Sequence, residues 1–159
     1  NMATAHKNLS DFDASKIPSG KNKTFYLVVS EWNTTITEAL YEGAVDVLKS
    51  CDVASENIIK WNVSGSFELI YGAKKAQQKN PDAVIVIGSV IQGETPHFDY
   101  ICQAVAQGIK DLNVQADCPV IFCVLTDNNL TQAQERSGGK YGNKGKEAAI
   151  AALKMAALG

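Results

Sequence analysis

The sequence predicts a single α/β domain in three layers, with a four-stranded parallel sheet between helices on both faces. Four short runs of apolar and β-branched residues alternate with stretches of helical periodicity, as in parallel strands joined by crossover helices. Of the 159 residues, 45% are hydrophobic and 20% are charged, which suits one globular domain and excludes intrinsic disorder. We expect an N-terminal arm at residues 1–20 and the domain at residues 21–159.

The predicted strands contain the most apolar segments of the chain. They are FYLVVS (25–30), IIKWNV (58–63), AVIVIGS (83–89) and PVIFCVL (119–125). The third run is apolar on both faces, as expected of a central parallel strand. Pro119 is acceptable because it opens the fourth run, where no ladder hydrogen bond from its nitrogen is needed.

The predicted helices follow the strands and carry N-terminal capping signals. They cover residues 35–51 and 66–79, a stretch beginning near residue 96, and residues 130–136 and 143–157. Thr35 with Glu38 fits a capping box, and Asn129 with Gln132 can cap the fourth helix. The order predicts a flavodoxin-like domain, in which ligands bind beyond the carboxyl ends of the strands.

Composition excludes several classes of partner and cofactor. The net charge is -2 and no segment concentrates lysine and arginine, so a nucleic-acid partner is not expected. We expect no membrane span and no signal peptide, hence a cytoplasmic protein, because the sequence lacks apolar runs of that length. Four cysteines without a C-x-x-C pair and two histidines predict buried thiols and no metal site.

Polar and aromatic residues follow the first two predicted strands. Trp32 either covers the core or offers a flat face on which a heterocycle stacks. After the second strand, Gly65 permits a tight turn, and Glu68 falls in the first turn of the next helix. The Glu68 carboxylate either complements the helix dipole or accepts hydrogen bonds from ligand hydroxyls.

The loop after the third strand carries the densest set of candidate groups. Thr95 suits a helix N-cap, with Pro96 at the first helical position. Gly93 permits close approach, so the amides of Glu94 and Thr95 can cradle a phosphate. His97 then lies at the positive end of the helix dipole, which favours a neutral ring able to accept a proton. A lone histidine is more often structural than catalytic, so both interpretations stay open.

A glycine-punctuated segment at residues 135–146 carries Arg136 and three lysines. It is either a solvated connection between helices or a cationic site in which Arg136 binds phosphate in bidentate geometry. With the aromatic face, the carboxylate, the anion loop and one histidine, these residues favour condensation or elimination on a phosphorylated substrate. A nitrogen heterocycle is the expected second reactant.

Six segments carry a resemblance to a known family. They are SEWN (30–33), GSFEL (65–69), GSVIQGETPHFDY (88–100), FCVLT (122–126), QAQER (132–136) and GNKGKEAA (142–149). With these motifs the chain resembles the lumazine synthases of riboflavin biosynthesis. The resemblance implies a transferase that condenses 5-amino-6-(D-ribitylamino)uracil with 3,4-dihydroxy-2-butanone 4-phosphate to 6,7-dimethyl-8-ribityllumazine. An imine forms, phosphate is eliminated and ring closure releases water, without a metal or an organic cofactor.

The resemblance also implies the roles of individual residues. His97 matches the acid/base histidine, and Arg136 matches the arginine that binds the butanone phosphate. The other implied substrate-binding residues are Trp32, Asn33, Ser66, Phe67, Glu68, Ser89, Val90, Ile91, Gly93, Glu94, Thr95, Phe122 and Lys144. Within this set, Trp32 stacks on the pyrimidine, residues 66–68 hold the ribityl chain and residues 89–91 read the pyrimidine edge.

Four positions depart from the family's usual residues. Trp32 replaces phenylalanine, Ser64 replaces proline, Gln92 replaces a basic residue and Cys123 replaces glycine. None of these changes removes a group that the chemistry requires. The uncharged Gln92 is expected to weaken the attraction for phosphate.

The implied site takes groups from two chains, because Phe122, Arg136 and Lys144 match residues that face it from the neighbouring subunit. The resemblance also implies a cyclic pentamer, a ring of head-to-tail interfaces that closes. In the family the length of the loop between the last two helices influences the assembly, and the short segment at residues 137–143 favours twelve pentamers in a shell of sixty. A decamer is the alternative, and riboflavin synthase is a candidate partner. Residues 9–16 are expected to lie along a neighbour's sheet edge.

Two alternatives to an enzyme differ in the residues that they need. A flavin- or lumazine-binding module would keep Trp32 and Glu68 but would not need His97 or Arg136. A shell-forming protein would need packing faces and none of the pocket residues. All of the pocket residues are present in this sequence, which favours the enzyme.

Overall fold

The structure, a computed structural model, describes residues 8–159 and confirms the predicted alternation of strands and helices. The strands are β1 (Phe25–Ser30), β2 (Ile58–Val63), β3 (Ala83–Ile91) and β4 (Val120–Asp127). The helices are α1 (Thr34–Ser50), α2 (Leu69–Gln77), α3 (His97–Gln115), α4 (Leu130–Arg136) and α5 (Lys144–Ala156). These strands pair in parallel in the order β2-β1-β3-β4, so the predicted fold class is confirmed.

Alternate residues of the central strand enter two separate apolar layers. Ile85 and Ile87 pack with α1, α4 and α5 on one face of the sheet. Val84 and Val86 pack with α2 and α3 on the other. All four side chains are fully buried, which explains why this strand is apolar without alternation.

The third and fourth strands extend beyond their predicted ends. β3 continues to Ile91 and β4 to Asp127, and these two residues are partners in the ladder. β4 begins at Val120, one residue after the predicted start, while the carbonyl of Pro119 accepts a hydrogen bond from Val84 N at 2.9 Å. Pairing between strands therefore keeps polar residues in β4 beyond its apolar run.

The capping box predicted for the first helix is wrong. α1 begins at Thr34, and Asn33 occupies the cap position without a side-chain hydrogen bond to the helix amides. Glu38 does not turn back to the helix start, because its carboxylate accepts two hydrogen bonds of 2.8 Å from Lys60 Nζ. A tertiary ion pair has replaced the local contact.

Two asparagine caps hold the C-terminal helices. Asn129 Oδ1 accepts from Gln132 N at 2.9 Å, which confirms the predicted cap of α4. Asn143 caps α5 by accepting from Gly145 N at 2.8 Å, and its Nδ2 donates to Ala39 O in α1 at 2.9 Å. The start of α5 is thus fixed against α1.

The described part of the N-terminal arm contacts the chain's own C-terminal half. Leu9 N donates to Tyr141 O at 2.7 Å, and Ser10 Oγ accepts from Asn143 N at 3.0 Å. Residues 1–7 of the predicted arm lie outside the described residues. The contact between this arm and a neighbouring subunit stays a prediction, as does the boundary at residue 20.

No helix within residues 8–159 is both long enough and apolar enough to cross a lipid bilayer.

Candidate active site

A cavity of about 630 Å³ lies at the carboxyl ends of β1, β2 and β3, beside the start of α3. The switch in strand order falls between β1 and β3, the position at which open α/β sheets bind ligands. The cavity contains most of the predicted site residues, namely Trp32, Asn33, Ser66, Phe67, Glu68, Ser89, Val90, Ile91, Gly93, Thr95 and His97. Glu94, Phe122, Arg136 and Lys144 do not line it.

The loop after β1 exposes an aromatic ring and is hydrogen-bonded to β3. Trp32 is 72% exposed, so its ring does not cover the core and one of the two interpretations is excluded. Asn33 has a left-handed backbone (φ 60°, ψ 50°), a conformation that asparagine adopts more readily than most residues. Its Nδ2 donates to Ser89 O at 2.9 Å, which fixes the loop beside the cavity.

The loop after β2 forms a tight 3-10 turn at Ser66–Glu68 before α2 begins at Leu69. The predicted helix start at Ser66 is therefore correct in position but wrong in helix type. A side chain on Gly88 would approach Ser66 Oγ to 2.7 Å, so glycine there lets Ser66 pack against β3. Phe67 and Glu68 are exposed at the cavity.

The end of β3 offers backbone groups to the cavity. Pairing with β1 stops at Val29 and Ile87, whereas pairing with β4 continues to Ile91. Residues 88–91 therefore present one backbone edge beyond the end of β1. The side chain of Ser89 is also buried, and its hydroxyl has no hydrogen-bond partner among the described residues.

The start of α3 is an uncapped helix N-terminus. Thr95 does not cap it, contrary to prediction, because the backbone at Pro96 (φ -70°, ψ 3°) delays the helix until His97. Within residues 8–159 the amides of Glu94 and Thr95 donate no backbone hydrogen bond, and space around Gly93 is open. Free amides at such a position suit an anion. His97 is exposed beside them and lines the cavity.

Arg136 lies at the end of α4, outside the cavity lining. Its Nη1 donates to Gln132 O at 3.1 Å and lies 3.8 Å from Asp127 Oδ1. Its guanidinium carbon is 5.1 Å from the centre of the Tyr141 ring, within cation–π distance. We call the surface formed by Asp127, Arg136, Tyr141 and Lys144 the β4–α4 edge.

The other two residues predicted to complete a neighbouring subunit's site have different surroundings. Phe122 is 38% exposed and contributes to a separate hollow of about 420 Å³ between β4 and α3. Lys144 opens α5, and its Nζ lies 3.4 Å from the Glu147 carboxylate. A role for these two residues and Arg136 in a neighbouring subunit's site stays a prediction.

The glycine-punctuated segment folds into an antiparallel hairpin that the sequence analysis missed. Its strands are β5 (Ser137–Gly139) and β6 (Gly142–Asn143). Gly138 (φ 121°) and Gly142 (φ 87°) have backbones that only glycine adopts easily. The spacing of these glycines was the signal that could have predicted the turn.

Burial raises the pKa of several titratable groups in and beside the core. Burial raises the pKa of the Cys123 thiol to about 12 and that of Cys118 to about 11, so both stay protonated at neutral pH and are poor nucleophiles. Burial also raises the pKa of Asp127, although the positive charges of Arg136 and Lys144 oppose this shift. Among residues 8–159, no three histidine, cysteine, aspartate or glutamate side chains gather as metal ligands.

Four residues of the lining were not predicted as ligand-binding positions. Ser64 and Gly65 directly follow β2, where the end of a strand was the available signal. Phe98 and Ile101 lie near the start of α3, where the apolar face of that helix borders the cavity. The cavity therefore combines an apolar wall with hydroxyls, a carboxylate, free amides and an imidazole.

Comparison with known proteins identifies one family. The family model described as 6,7-dimethyl-8-ribityllumazine synthase matches residues 22–159. A protein of that name from Flavobacterium johnsoniae is 67% identical, over 98% of this chain and 82% of the relative. Relatives of the same name from Christiangramia forsetii and Porphyromonas gingivalis are 62% and 56% identical, over 99% of this chain and 95% and 98% of their own lengths.

Proposed function

Because the chain belongs to the 6,7-dimethyl-8-ribityllumazine synthase family, we propose that the cavity at its strand ends is the place of the condensation. The reaction joins 5-amino-6-(D-ribitylamino)uracil to 3,4-dihydroxy-2-butanone 4-phosphate in riboflavin biosynthesis. The products are 6,7-dimethyl-8-ribityllumazine, phosphate and water. The chain is thus a transferase. The single observation that carries the proposed location is that one cavity gathers aromatic, hydroxyl-binding and anion-binding groups beside His97.

We assign the pyrimidine ring to the wall between Trp32 and the end of β3. The exposed Trp32 ring offers an apolar face for stacking. The backbone of residues 89–91, which has no strand partner on the β1 side, offers hydrogen bonds to the polar edge of the pyrimidine. Asn33 holds these two parts together through its bond to Ser89. The pyrimidine is thereby held in one plane and one direction.

We assign the ribityl chain to the turn after β2. Ser66 presents a hydroxyl, Glu68 presents an exposed carboxylate, and the Phe67 ring packs along the carbon chain. Carboxylate oxygens accept hydrogen bonds from several hydroxyls at once. This arrangement suits a polyol better than it suits an anion.

We assign the phosphate of the second substrate to the amides of Glu94 and Thr95 at the start of α3. The open space around Gly93 lets a phosphate approach the backbone closely. His97 follows Thr95 by two positions and lines the same cavity, so its imidazole lies beside the ketone of a substrate held there. A neutral imidazole can move protons between the attacking amine and the carbonyl oxygen as the imine forms.

The remaining groups are proposed to come from a second subunit. Membership of the family implies two small-molecule substrates and an oligomeric assembly. We propose a cyclic pentamer in which Phe122, Arg136 and Lys144 complete the cavity of the adjacent chain, with Arg136 binding the phosphate. Twelve such pentamers would form a shell of sixty, a decamer is the alternative, and riboflavin synthase is the proposed protein partner. The proposed location is the cytoplasm.

The direct test mixes both substrates with the purified protein and follows lumazine absorbance and phosphate release together. We expect the two products in equal amounts. Binding of the pyrimidine substrate without turnover would overturn the proposed catalytic use of the cavity. Light scattering on the same sample tests the assembly, because a stable particle of five chains would contradict the shell.

A further inference from the structure

Asp127 is a buried carboxylate at the end of β4 that the reaction described above does not use. Its side chain is 8% exposed, and Oδ2 has no hydrogen-bond partner among the described residues. Oδ1 lies 3.8 Å from Arg136 Nη1, near enough for charge attraction but too far for a hydrogen bond. Asp127 therefore neutralises Arg136 without occupying its donors.

The guanidinium of Arg136 has two nitrogens available to bind an anion. Nη1 donates to Gln132 O, while Nε and Nη2 donate no hydrogen bond within the described part of the chain. The centre of the Tyr141 ring lies 5.1 Å from the guanidinium carbon, within cation–π distance. A phosphate can thus bind through Nε and Nη2 while Asp127 stays on the Nη1 side.

Two anions would then share one cation. Glu135 adds negative charge near Asp127, while Arg136 and Lys144 add positive charge. Because Asp127 is screened from water, its repulsion of a phosphate is stronger than that of a surface carboxylate. The carboxylate must therefore lower the affinity of Arg136 for phosphate.

We propose that Asp127 is a positioning residue that acts through Arg136 as its counter-ion and weakens the hold on phosphate, so that the product leaves. The inference rests on the proposed function, in which Arg136 binds the phosphate. It assigns Asp127 to the control of phosphate affinity and not to the chemistry of condensation. No bond forms or breaks at Asp127.

The test measures inorganic phosphate binding to the full-length assembled protein by titration calorimetry, and its inhibition constant against the phosphorylated ketone. Asp127→Asn removes the charge at constant size, and we expect phosphate to bind about fivefold tighter or more. Asp127→Thr is a second neutral variant that suits a strand and should act in the same direction. Asp46→Asn, an exposed change of equal charge on α1, is the matched control and should leave phosphate binding unchanged.

A merely structural role is separated by two further readouts. The KM for the pyrimidine substrate should be unchanged in Asp127→Asn, and in an Arg136→Met background the same substitution should no longer tighten phosphate binding. Unchanged or weaker phosphate binding in both neutral variants would overturn the inference. The proposed function fails separately, if the unmodified protein does not turn over its two substrates.

Discussion

The cavity and the β4–α4 edge are the two regions of this chain that carry predicted site residues, and they are built differently. The cavity collects its groups from three successive strand ends, and its aromatic and imidazole side chains are exposed. At the edge, Arg136 is held by Gln132, Asp127 and Tyr141, and it does not line the cavity. The chain thus carries two separate surfaces with candidate site residues, as the proposed site between neighbouring subunits requires.

The largest expected effect comes from removing the cation of the edge. Arg136→Ala should lower kcat/KM for the phosphorylated ketone about a thousandfold, as loss of a donor to a developing anion does. The kcat/KM of Arg136→His should also lie far below that of the unmodified protein, because imidazole cannot bind phosphate in the same bidentate way. Steady-state kinetics with the ketone as the varied substrate measure both.

Lys140→Ala is a matched control for this prediction. Its Nζ lies 5.2 Å from the same Tyr141 ring, so the variant removes a neighbouring positive charge and leaves Arg136 in place. Its effect should be much smaller. Equal losses in the two variants would mean that general positive charge, and not the guanidinium, supports the reaction.

The next largest effect tests whether the two regions serve one site from different chains. The double variant His97→Ala/Trp32→Ala and the single variant Arg136→Ala are each expected to be nearly inactive. Coexpressed in equal amounts, they should form mixed oligomers in which roughly one quarter of the sites combine two intact halves. Activity well above the sum of the separate variants is the expected result. Activity no greater than that sum would place both halves of the site on one chain.

A smaller effect is expected from the histidine of the cavity alone. His97→Ala should slow turnover about tenfold to a hundredfold without abolishing it, because positioning the two substrates supplies much of the acceleration. Single-turnover kinetics measure the chemical step directly. His6→Ala, which removes the sequence's other histidine, is the control and should match the unmodified protein. A His97 variant with unaltered rates at every pH would have no place in the mechanism.

The difference between the two regions also explains what could be predicted from the sequence. The first two strands and α4 were predicted at their observed ends, because local apolar runs and the Asn129 cap define them. The ends of β3 and β4 depend on pairing between distant residues, which no local pattern contains. For the same reason Glu38 was assigned to a capping box, although it binds Lys60 from another element.

The cavity was more predictable than the edge for a related physical reason. Residues at the ends of parallel strands meet wherever the strand order switches, so positions such as Trp32 and Ser89 come together by topology. The geometry of the β4–α4 edge depends on how side chains pack beyond the apolar run of β4, where the sequence is polar. Asp127 follows the predicted end of the fourth strand at residue 125, whereas β4 extends far enough to bury it.

The smallest expected effect concerns how the buried Asp127 carboxylate changes the protein's free energy of unfolding with pH. Since burial raises the pKa of Asp127 above its ordinary value of 3.8, the folded state favours the protonated form. The unmodified protein is therefore more stable with Asp127 protonated than with Asp127 ionised. This stabilisation is fully present below pH 3.8 and is lost as the pH rises through the higher folded-state pKa. Asp127→Asn cannot lose it, so its thermal midpoint relative to the unmodified protein should rise between acidic and neutral pH, by only a few degrees. Thermal unfolding across that range measures the difference, with Asp46→Asn as the control. A relative midpoint that falls with rising pH would mean that attraction to Arg136 outweighs burial, and the edge would then be stabilised by the ion pair.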